Sequence, residues 1–558
     1  MQLQLYKNTT TGLSEMLHLE IAKNGNDTRK KKLSDKILGK FYTPNVMGRS
    51  LVDGILNNFK HSSGKISIID PFCGDGRLIV WLLEKIETTN FDSLDEIEVT
   101  LWDCDEEAIA QAKKNIANVS RVITIPVLVN AKVVDTFFEF SQNDISNKYD
   151  IVITNPPWDV VKPDKSELQH LNSTQKKEYI SSLKNFSNRI KQDYPLSSPD
   201  KMYGGWGINL ARTGTEIAIK LAKPSGIVGL VSPASLLADQ NSTTFRRWIL
   251  ENNHSKEINY YPAESRLFDS VDSPSITIVL IKGALQDGIL LNKFNKNLET
   301  IINEKIELPT SFLKNIDYKI PVSFGSKSKH IKQLINFQSF PKIAELQDTK
   351  YGGFWSGREL DETNYKSWTD LNGSYGFLKG RMVTRFSNII SSDLYLKNEK
   401  VESVPESVNY SRIAWRDVSR TTQKRRIIAT IVAPGFVTGN SLGVAYFRND
   451  EGNLKLFALL GIISSLIFEF QVRALLATSH ISVGVLRKTG IPSFEDANLI
   501  EELASLVKKR ISGDENTELK IETLVAKSYG VAKDDYIDIL DAFPKLTNEF
   551  KENLLNNY

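Results

Sequence analysis

Lys65-Ile66-Ser67-Ile68-Ile69-Asp70 is a short apolar run, and Pro71-Phe72-Cys73-Gly74-Asp75-Gly76 follows it. A helical pattern then carries Leu78, Ile79, Trp81, Leu82, Leu83 and Ile86. The run reads as a buried strand, and strand, glycine loop, helix is the order that lets a ligand approach the backbone in an open α/β sheet. The loop is not G-x-G-x-x-G, so a dinucleotide is not implied. Ser63-Gly64-Lys65 precedes the strand and lacks a phosphate-binding loop. A lone Gly-x-Gly says little, whereas a strand ending in Asp and followed by Pro-Phe-Cys-Gly-Asp-Gly says much more. Upstream, Lys40-Phe41-Tyr42-Thr43-Pro44 leads into a helical pattern with Val46, Leu51, Val52, Ile55 and Leu56. Thr43 fits an N-cap with Pro44 at the first helical position. Such a start offers free N–H groups to a carboxylate, or is simply a cap. Residues 1–40 are polar and lysine-rich, with Arg29-Lys30-Lys31-Lys32, and read as a solvated arm too short for a nuclease domain.

Downstream, a strand from Ile97 to Trp102 ends in Asp103-Cys104-Asp105 and leads into a helix carrying Ala108, Ile109, Ala112 and Ile116. Asp103 is placed to accept hydrogen bonds from a ribose diol, and Asp105 to cap the helix. A third strand, about Val122 to Val129, precedes Val133-Val134-Asp135-Thr136-Phe137-Phe138. The fourth, Asp150-Ile151-Val152-Ile153-Thr154, runs out into Asn155-Pro156-Pro157-Trp158. Consecutive prolines fix φ, remove backbone donors and push the preceding residues to extended geometry. The loop therefore presents an amide, carbonyls without neighbouring N–H groups, and an aromatic face. That suits a planar ring bearing an amine; an ordinary turn is the plainer alternative. Alternation of strand and helix across 65–155 predicts a doubly wound, parallel α/β sheet.

Residues 160–200 are polar and lysine-rich and read as a long loop at the mouth of a site. A helix resumes near Gly207 with Leu210, Gly214, Ile217 and Leu221, followed by a strand, Ile227 to Val231, and a helix, Phe245 to Leu250. Leu267-Phe268-Asp269-Ser270 precedes a last strand, Ile276 to Ile281, which closes a first domain near 285. Beyond 346 the chain turns to glycine, aromatics and arginine: Tyr351-Gly352-Gly353-Phe354-Trp355-Ser356-Gly357-Arg358, then Arg412-Ile413-Ala414-Trp415-Arg416-Asp417-Val418-Ser419-Arg420 and Lys424-Arg425-Arg426. Arginines interleaved with an aromatic suit phosphates and base edges; a solvated edge strand is the alternative. Leu456 to Leu476 reads as a core helix, too interrupted to span a membrane. His480 reads as structural, and 497–558 as amphipathic helices. The net charge of +3 is too small to signal a nucleic acid by itself, so local clustering must carry that reading. Cys73 and Cys104 cannot build a disulfide framework or a zinc cluster, and Met1 to Lys7 lacks a signal-peptide core. A cytoplasmic protein without a membrane segment or metal is expected.

In this order, Phe41-Tyr42-Thr43-Pro44, Asp70 through Gly76 and Asn155-Pro156-Pro157-Trp158 resemble the gamma class of N6-adenine DNA methyltransferases of type II restriction–modification systems. The resemblance covers about residues 35–285. It extends more loosely over 346–495, where Trp415-Arg416-Asp417 and Ser479-His480-Ile481-Ser482-Val483 are similar to recognition-domain segments. It implies an S-adenosyl-L-methionine (AdoMet)-dependent methyltransferase domain of doubly wound α/β fold at 41–285 and a connecting region at 286–345. A mixed α/β target recognition domain at 346–496 and a helical C-terminal segment at 497–558 would follow. Thr43 and Asp70, with Pro71, Cys73, Gly74 and Gly76 of the loop and with Asn155, would hold AdoMet. Asp103 would take its ribose and Asp135 its adenine, with Asp144 a competing choice. Asn155, Pro156, Pro157 and Trp158 would be catalytic, with Trp158 and Phe268 stacking on the target base. Tryptophan stands at 158 where tyrosine or phenylalanine is more usual. Arg412, Trp415, Arg416, Arg420, Lys424 and Arg425 would face double-stranded DNA. The enzyme would act as a monomer on DNA, alone like the stand-alone enzymes paired with type IIS endonucleases, its cognate restriction endonuclease acting in trans. Cytosine-C5 chemistry needs a cysteine nucleophile after the catalytic loop, and neither cysteine lies there. N4-cytosine enzymes usually carry Ser in place of Asn155. RNA and protein-glutamine methyltransferases share Asn-Pro-Pro-aromatic but usually lack a large C-terminal domain. A silent DNA-binding protein would need neither the cofactor loop nor Asn155.

Overall fold

A computed structural model describes residues 42–558 apart from 61–63, 90–93, 144, 165–167, 170, 203–204, 269–272, 362–367, 421–422 and 477–478. The N-terminal arm, Phe41 and Asp144 therefore lie outside the described residues. The chain divides into two units. The first runs to Glu307 and includes Asp317–Lys319; the second comprises Leu308–Ile316 and Ile320–Tyr558.

In the first unit, β1 (Lys65–Asp70), β2 (Glu96–Asp103), β3 (Val127–Val133), β4 (Tyr149–Thr154), β5 (Ala222–Pro233), β6 (Asn253–Tyr261), β7 (Ser275–Lys282), β8 (Ile289–Phe294) and β9 (Thr300–Ile306) form one sheet. The order is β3-β2-β1-β4-β5-β7-β6-β8-β9. Strands β3 through β5 along that order run parallel. Strand β7 is inserted antiparallel between β5 and β6. The central strands are apolar almost throughout because helices cover both faces, and Ile68, Ile69, Ile151, Val152, Ile153, Val228 and Leu230 have essentially no exposure. Helices α1 (Asn45–Asn58), α2 (Arg77–Thr89) and α3 (Glu106–Ser120) supply Leu51, Ile55, Leu82 and Ile116 to one core. Helix α1 lies so close to the sheet that a Cβ on Gly229 would fall 2.4 Å from the Ile55 side chain.

Four expectations change. Helix α1 is capped by extended Pro44, whose carbonyl accepts from Gly48 N at 3.0 Å, so Thr43 stands outside it and makes no cap. The third strand lies later, at Val127–Val133, since α3 runs to Ser120 and Val122 sits 76% exposed in the turn between them. After α4 (Thr136–Gln142), the expected loop at 160–200 contains a 21-residue helix, α5 (Ser173–Asp193). It starts on an Asn172/Gln175 capping box and buries only Tyr179, Ser187 and Ile190, so its apolar stripe is too thin to read from sequence. Finally, β8 and β9 extend the sheet to residue 306, so the first part of the expected connecting region belongs to the first unit. Helices α6 (Leu210–Leu221) and α7 (Thr243–Asn252) fall where periodicity puts them.

The second unit holds two four-stranded sheets. One is ordered β10 (Phe354–Gly357), β17 (Leu442–Phe447), β14 (Arg412–Arg416), β15 (Ala429–Val432). The other is ordered β11 (Thr369–Asp370), β13 (Tyr395–Leu396), β12 (Gly376–Leu378), β16 (Phe436–Thr438). The apolar run at 456–476 forms two helices, Leu454–Ile463 and Leu466–Ala474, bent by 61° where Ser465 caps the second. Among the described residues, no single helix is long and apolar enough to cross a membrane. The C-terminal helices bury Leu503, Val507, Ile521, Val525, Tyr536 and Ile539 in the same core as Leu459 and Phe468, so 497–558 is an integral part of this unit.

Candidate functional site

Strand order turns back at β1, with β2 on one side and β4 on the other. In open α/β sheets the crevice beyond the carboxyl ends of the strands at such a point is where ligands bind. Asp70 ends β1, Asp103 ends β2, Asp135 follows β3 and Asn155 follows β4, so the expected site residues share one sheet edge.

The glycine loop is held at that edge from both sides. Gly74 and Gly76 have φ of +50° and +75°, left-handed values that disfavour a side chain. A Cβ on Gly76 would also lie 3.0 Å from that of Ala112 on α3. Cys73 N donates to Trp102 O and Gly74 N to Asp103 Oδ2, both at 2.9 Å, so the tips of β1 and β2 are tied together. The other Asp103 oxygen accepts from Asp105 N at 3.0 Å. Asp70 is 1% exposed and accepts from Phe72 N at 3.1 Å; burial pushes its carboxyl up to about 7. Asp135 caps α4 by accepting from Phe137 N at 2.9 Å, and desolvation pushes it up to about 6. Burial raises the Cys73 thiol far above its ordinary range, leaving it inert. Sequence reasoning missed Arg77. It pairs with Asp75 at 2.7 Å, donates to the Thr43 carbonyl at 3.1 Å and stacks 4.5 Å from the Tyr42 ring centroid. Only the fold brings Arg77 to Tyr42 and Thr43.

Beside the loop, the Asn155 amide is engaged at both ends. Its Nδ2 donates to Thr43 Oγ1 at 3.1 Å, and its Oδ1 accepts from Trp158 Nε1 at 3.0 Å. The Phe268 ring meets Trp158 edge-on, with centroids 4.7 Å apart and planes at 61°. Pro156 is buried against α6, where a Cβ on Gly214 would stand 2.4 Å from the proline Cβ and 3.1 Å from Phe72. Leu210 N donates to Asp159 O at 2.9 Å, fixing the chain just after the motif. The arrangement places an oriented amide, a carbonyl and two aromatic rings beside acidic strand tips.

The expected DNA-facing set in the second unit divides into interior and accessible residues. Arg412 has no exposure and is paired with Glu359 at 2.7 Å, because β14 is an inner strand rather than an edge. Trp415 is 2% exposed, donates to Ile481 O at 3.0 Å and covers Gly443, where a Cβ would meet its ring at 2.2 Å. Arg425 is buried between Glu469 and Glu522, at 2.9 Å from each. These three are interior residues. Arg416 is half-buried and donates to Val383 O at 2.8 Å, while Arg420 and Lys424 are exposed. The structure adds a cluster that sequence reasoning missed. Asp417, only 5% exposed at its side chain, accepts at 2.6 Å from both Arg358 and His480, whose side chains are 45% and 58% exposed. A bridge between Val418 and His480 joins the two segments. Spacing could not join them, because 63 residues separate Asp417 from His480.

Residues 77–268 match the family of Eco57I restriction-modification methylases. The type II methyltransferase M.BanIII of Aneurinibacillus aneurinilyticus is 25% identical over 237 residues, which span 40% of this chain and 36% of that protein. The methylase subunit of the type I restriction enzyme MjaIX of Methanocaldococcus jannaschii is 31% identical over 145 residues, 25% of this chain and 23% of that subunit. The chain thus matches these relatives over little more than a third of their length at most. Among solved structures, the type IIL restriction-modification enzyme MmeI in complex with DNA aligns with 100% of this chain and 78% of its own at a TM-score of 0.51 and 11% identity, a likeness of fold. With its reversed β7, the first unit is a doubly wound α/β sheet, and residues 77–268 are similar to restriction–modification methylases.

Proposed function

We propose that the chain is a site-specific DNA methyltransferase that transfers a methyl group from AdoMet to N6 of adenine in double-stranded DNA. It would protect cytoplasmic host DNA from a restriction endonuclease that acts in trans on the same site. The observation that carries this reading is the oriented Asn155 amide at the tip of β4, next to a glycine loop tied to Asp103. The site residues fit the cofactor: Asp70 is a desolvated carboxyl suited to an ammonium group, and Gly74 and Gly76 keep the loop open to a ligand's approach. Thr43 and Asp70 would hold the methionine moiety, with Pro71, Cys73, Gly74 and Gly76 lining it. Asp103 would hold the ribose and Asp135 the adenine. When bound, AdoMet supplies an electrophilic methyl group on a positively charged sulfur and departs as the neutral thioether.

The chain's own residues act on the target amine. Its lone pair is delocalised into the ring, which makes it a poor nucleophile. Hydrogen bonds accepted by Asn155 Oδ1 and the Pro156 carbonyl draw the nitrogen toward tetrahedral geometry and localise that pair. No strong base is required, since the proton leaves after transfer, and the acceleration comes from positioning and electrostatics. The amine is out of reach inside a duplex, so the base must leave the stack and lie against Trp158 and Phe268. Stacking of this kind contributes about 1–3 kcal/mol per base. In the second unit, the exposed or half-buried Arg358, His480, Arg416, Arg420 and Lys424 would meet phosphates or base edges. The test is incubation of the purified chain with methyl-labelled AdoMet and duplex DNA, followed by digestion to nucleosides. Label is expected in N6-methyladenine; label in N4-methylcytosine, or none in DNA, defeats the reading.

A further inference from the structure

We infer that the outer face of helix α5 is a contact surface for the DNA backbone, carried by the first unit itself. This rests on the reading of duplex DNA as the substrate. The inner side of α5 is fastened to the edge of the sheet where the expected site residues gather. Near its start, the Tyr179 hydroxyl accepts from Asp164 N at 3.5 Å, on the chain leaving the Asn155-Pro156-Pro157-Trp158 loop. Further along, Phe186 meets Phe137 edge-on, with centroids 6.4 Å apart and planes at 83°. Phe137 in turn lies 5.3 Å from Phe72 of the glycine loop. At the end of the helix, the Tyr194 hydroxyl donates to the Phe137 carbonyl. Arg189 stacks 4.0 Å from the Phe138 ring centroid and pairs with Asp193. Helix α5 is therefore held beside both loops at the carboxyl ends of the strands, the edge that a target base must approach.

Its outer face has the chemistry of a phosphate surface. Lys177, Ser181, Lys184, Asn188 and Lys191 are all exposed and follow one another in steps of three and four residues, so they share one face. Successive lysines stand about 10 Å apart along the helix axis. A helix whose charges serve only its own stability sets acids three or four residues from its lysines. None of these three lysines has an Asp or Glu at either distance, on either side. Among the described residues none of the three pairs with a carboxylate, and Lys191 Nζ instead lies 4.0 Å from Met202 Sδ. The cations are left for something outside the chain. Between them, exposed Ser181, Asn185 and Asn188 offer hydrogen bonds to phosphate and sugar oxygens. Phosphates on one strand of a duplex recur about every 3.4 Å along its axis, so the three lysines reach different phosphates. A regular polyanion brought to this edge by its target base is the partner that fits. The contacts carry no sequence information and would hold the duplex while the base is out of the stack.

The test is the salt dependence of duplex-DNA binding by the full chain, measured by fluorescence anisotropy across a salt series. Compared are the natural protein, the triple variant Lys177→Gln/Lys184→Gln/Lys191→Gln, the matching triple Lys→Arg variant, and Lys60→Gln. Lys60 is exposed just ahead of β1, at the opposite end of the strands. The triple glutamine variant should lower the slope of log affinity against log salt by about 0.9 for each lysine. It should weaken binding alike for duplexes of different sequence. The triple arginine variant keeps the charges and should keep the natural slope. Melting temperature and AdoMet affinity of the glutamine variant should match the natural protein, since the three side chains are exposed. A natural slope in the glutamine variant overturns the inference. So does an equal change per lysine in Lys60→Gln, which would assign the effect to overall charge. So does a natural slope for DNA joined to lost binding of an acidic protein, which would give the face a protein partner instead. Failure of the natural protein to methylate duplex DNA would defeat the proposed function itself. Natural methylation with an unaltered slope defeats only the role given to α5, so the two failures are distinguishable.

Discussion

Asn155 and Asp70 carry the most consequential single-residue expectations. Asn155→Ala should abolish methyl transfer while AdoMet affinity, measured by calorimetry, stays within about twofold, since under the proposed function the lost acceptor would serve chiefly the amine. Substantial turnover would end its catalytic role. Asp70 titrates near 7 because burial disfavours its charge. An ammonium partner needs the ionised form, so AdoMet affinity should weaken as pH falls through about 7, by up to about tenfold per pH unit. Asp70→Asn should bind weakly with no such dependence; a natural slope in that variant would exclude Asp70. Without ligand the sign reverses. A carboxyl raised on folding contributes stability that is full below its unfolded range and lost as pH rises through about 7. The melting temperature should therefore fall from pH 5 to pH 8 by more in the natural protein than in Asp70→Asn. At this scale Asp70, Asp103 and Asn155 were legible because strand ends announce themselves. The contact of Thr43 with Asn155 was not, because a threonine before proline reads as a helix cap until β4 brings Asn155 to its hydroxyl.

At the scale of elements, helix α6 is as much a part of the site as the strand tips. Alanine is the better helix former, yet its methyl group at 214 would press on Pro156 and Phe72 together. Gly214→Ala should cost about 1–3 kcal/mol of stability through overpacking and drop kcat about tenfold or more through misplacement of the two loops. Unaltered kcat would mean that α6 does not set the site. Strand β14 gives the complementary case. Arg412→Ala should destabilise the second unit by roughly 3–5 kcal/mol by stranding buried Glu359, read by denaturant unfolding. Arg420→Ala should leave stability unchanged and lower the salt slope of DNA binding by about 1. Equal destabilisation by both substitutions would contradict their assigned environments. Sequence periodicity revealed β1, α2, β2 and α3, whose apolar residues repeat cleanly. It failed at α5, with its few buried residues, and at Arg412 and Arg425, because an arginine bound to a buried carboxylate is indistinguishable from a solvated one until its partner is found.

At the scale of the molecule, the class of fold was written in the order of strands, loops and helices, whereas the division into units was not. Strands β8 and β9 lack the near-continuous apolar run of the central strands, and their place at the end of the sheet order allows it. The C-terminal helices look self-contained in sequence, yet share one core with the apolar pair near residue 460. The Arg358–Asp417–His480 cluster forms only after two distant segments meet. Under the proposed function, methylation should fall on one recurring motif rather than on adenines at random. The most direct measurement is methylation-sensitive sequencing of DNA from cells expressing this chain alone, beside cells expressing Asn155→Ala. The expected result is N6-methyladenine at a single recurring motif with the natural chain and its disappearance with the variant. Absence of N6-methyladenine from every motif, or its persistence with Asn155→Ala, would contradict it.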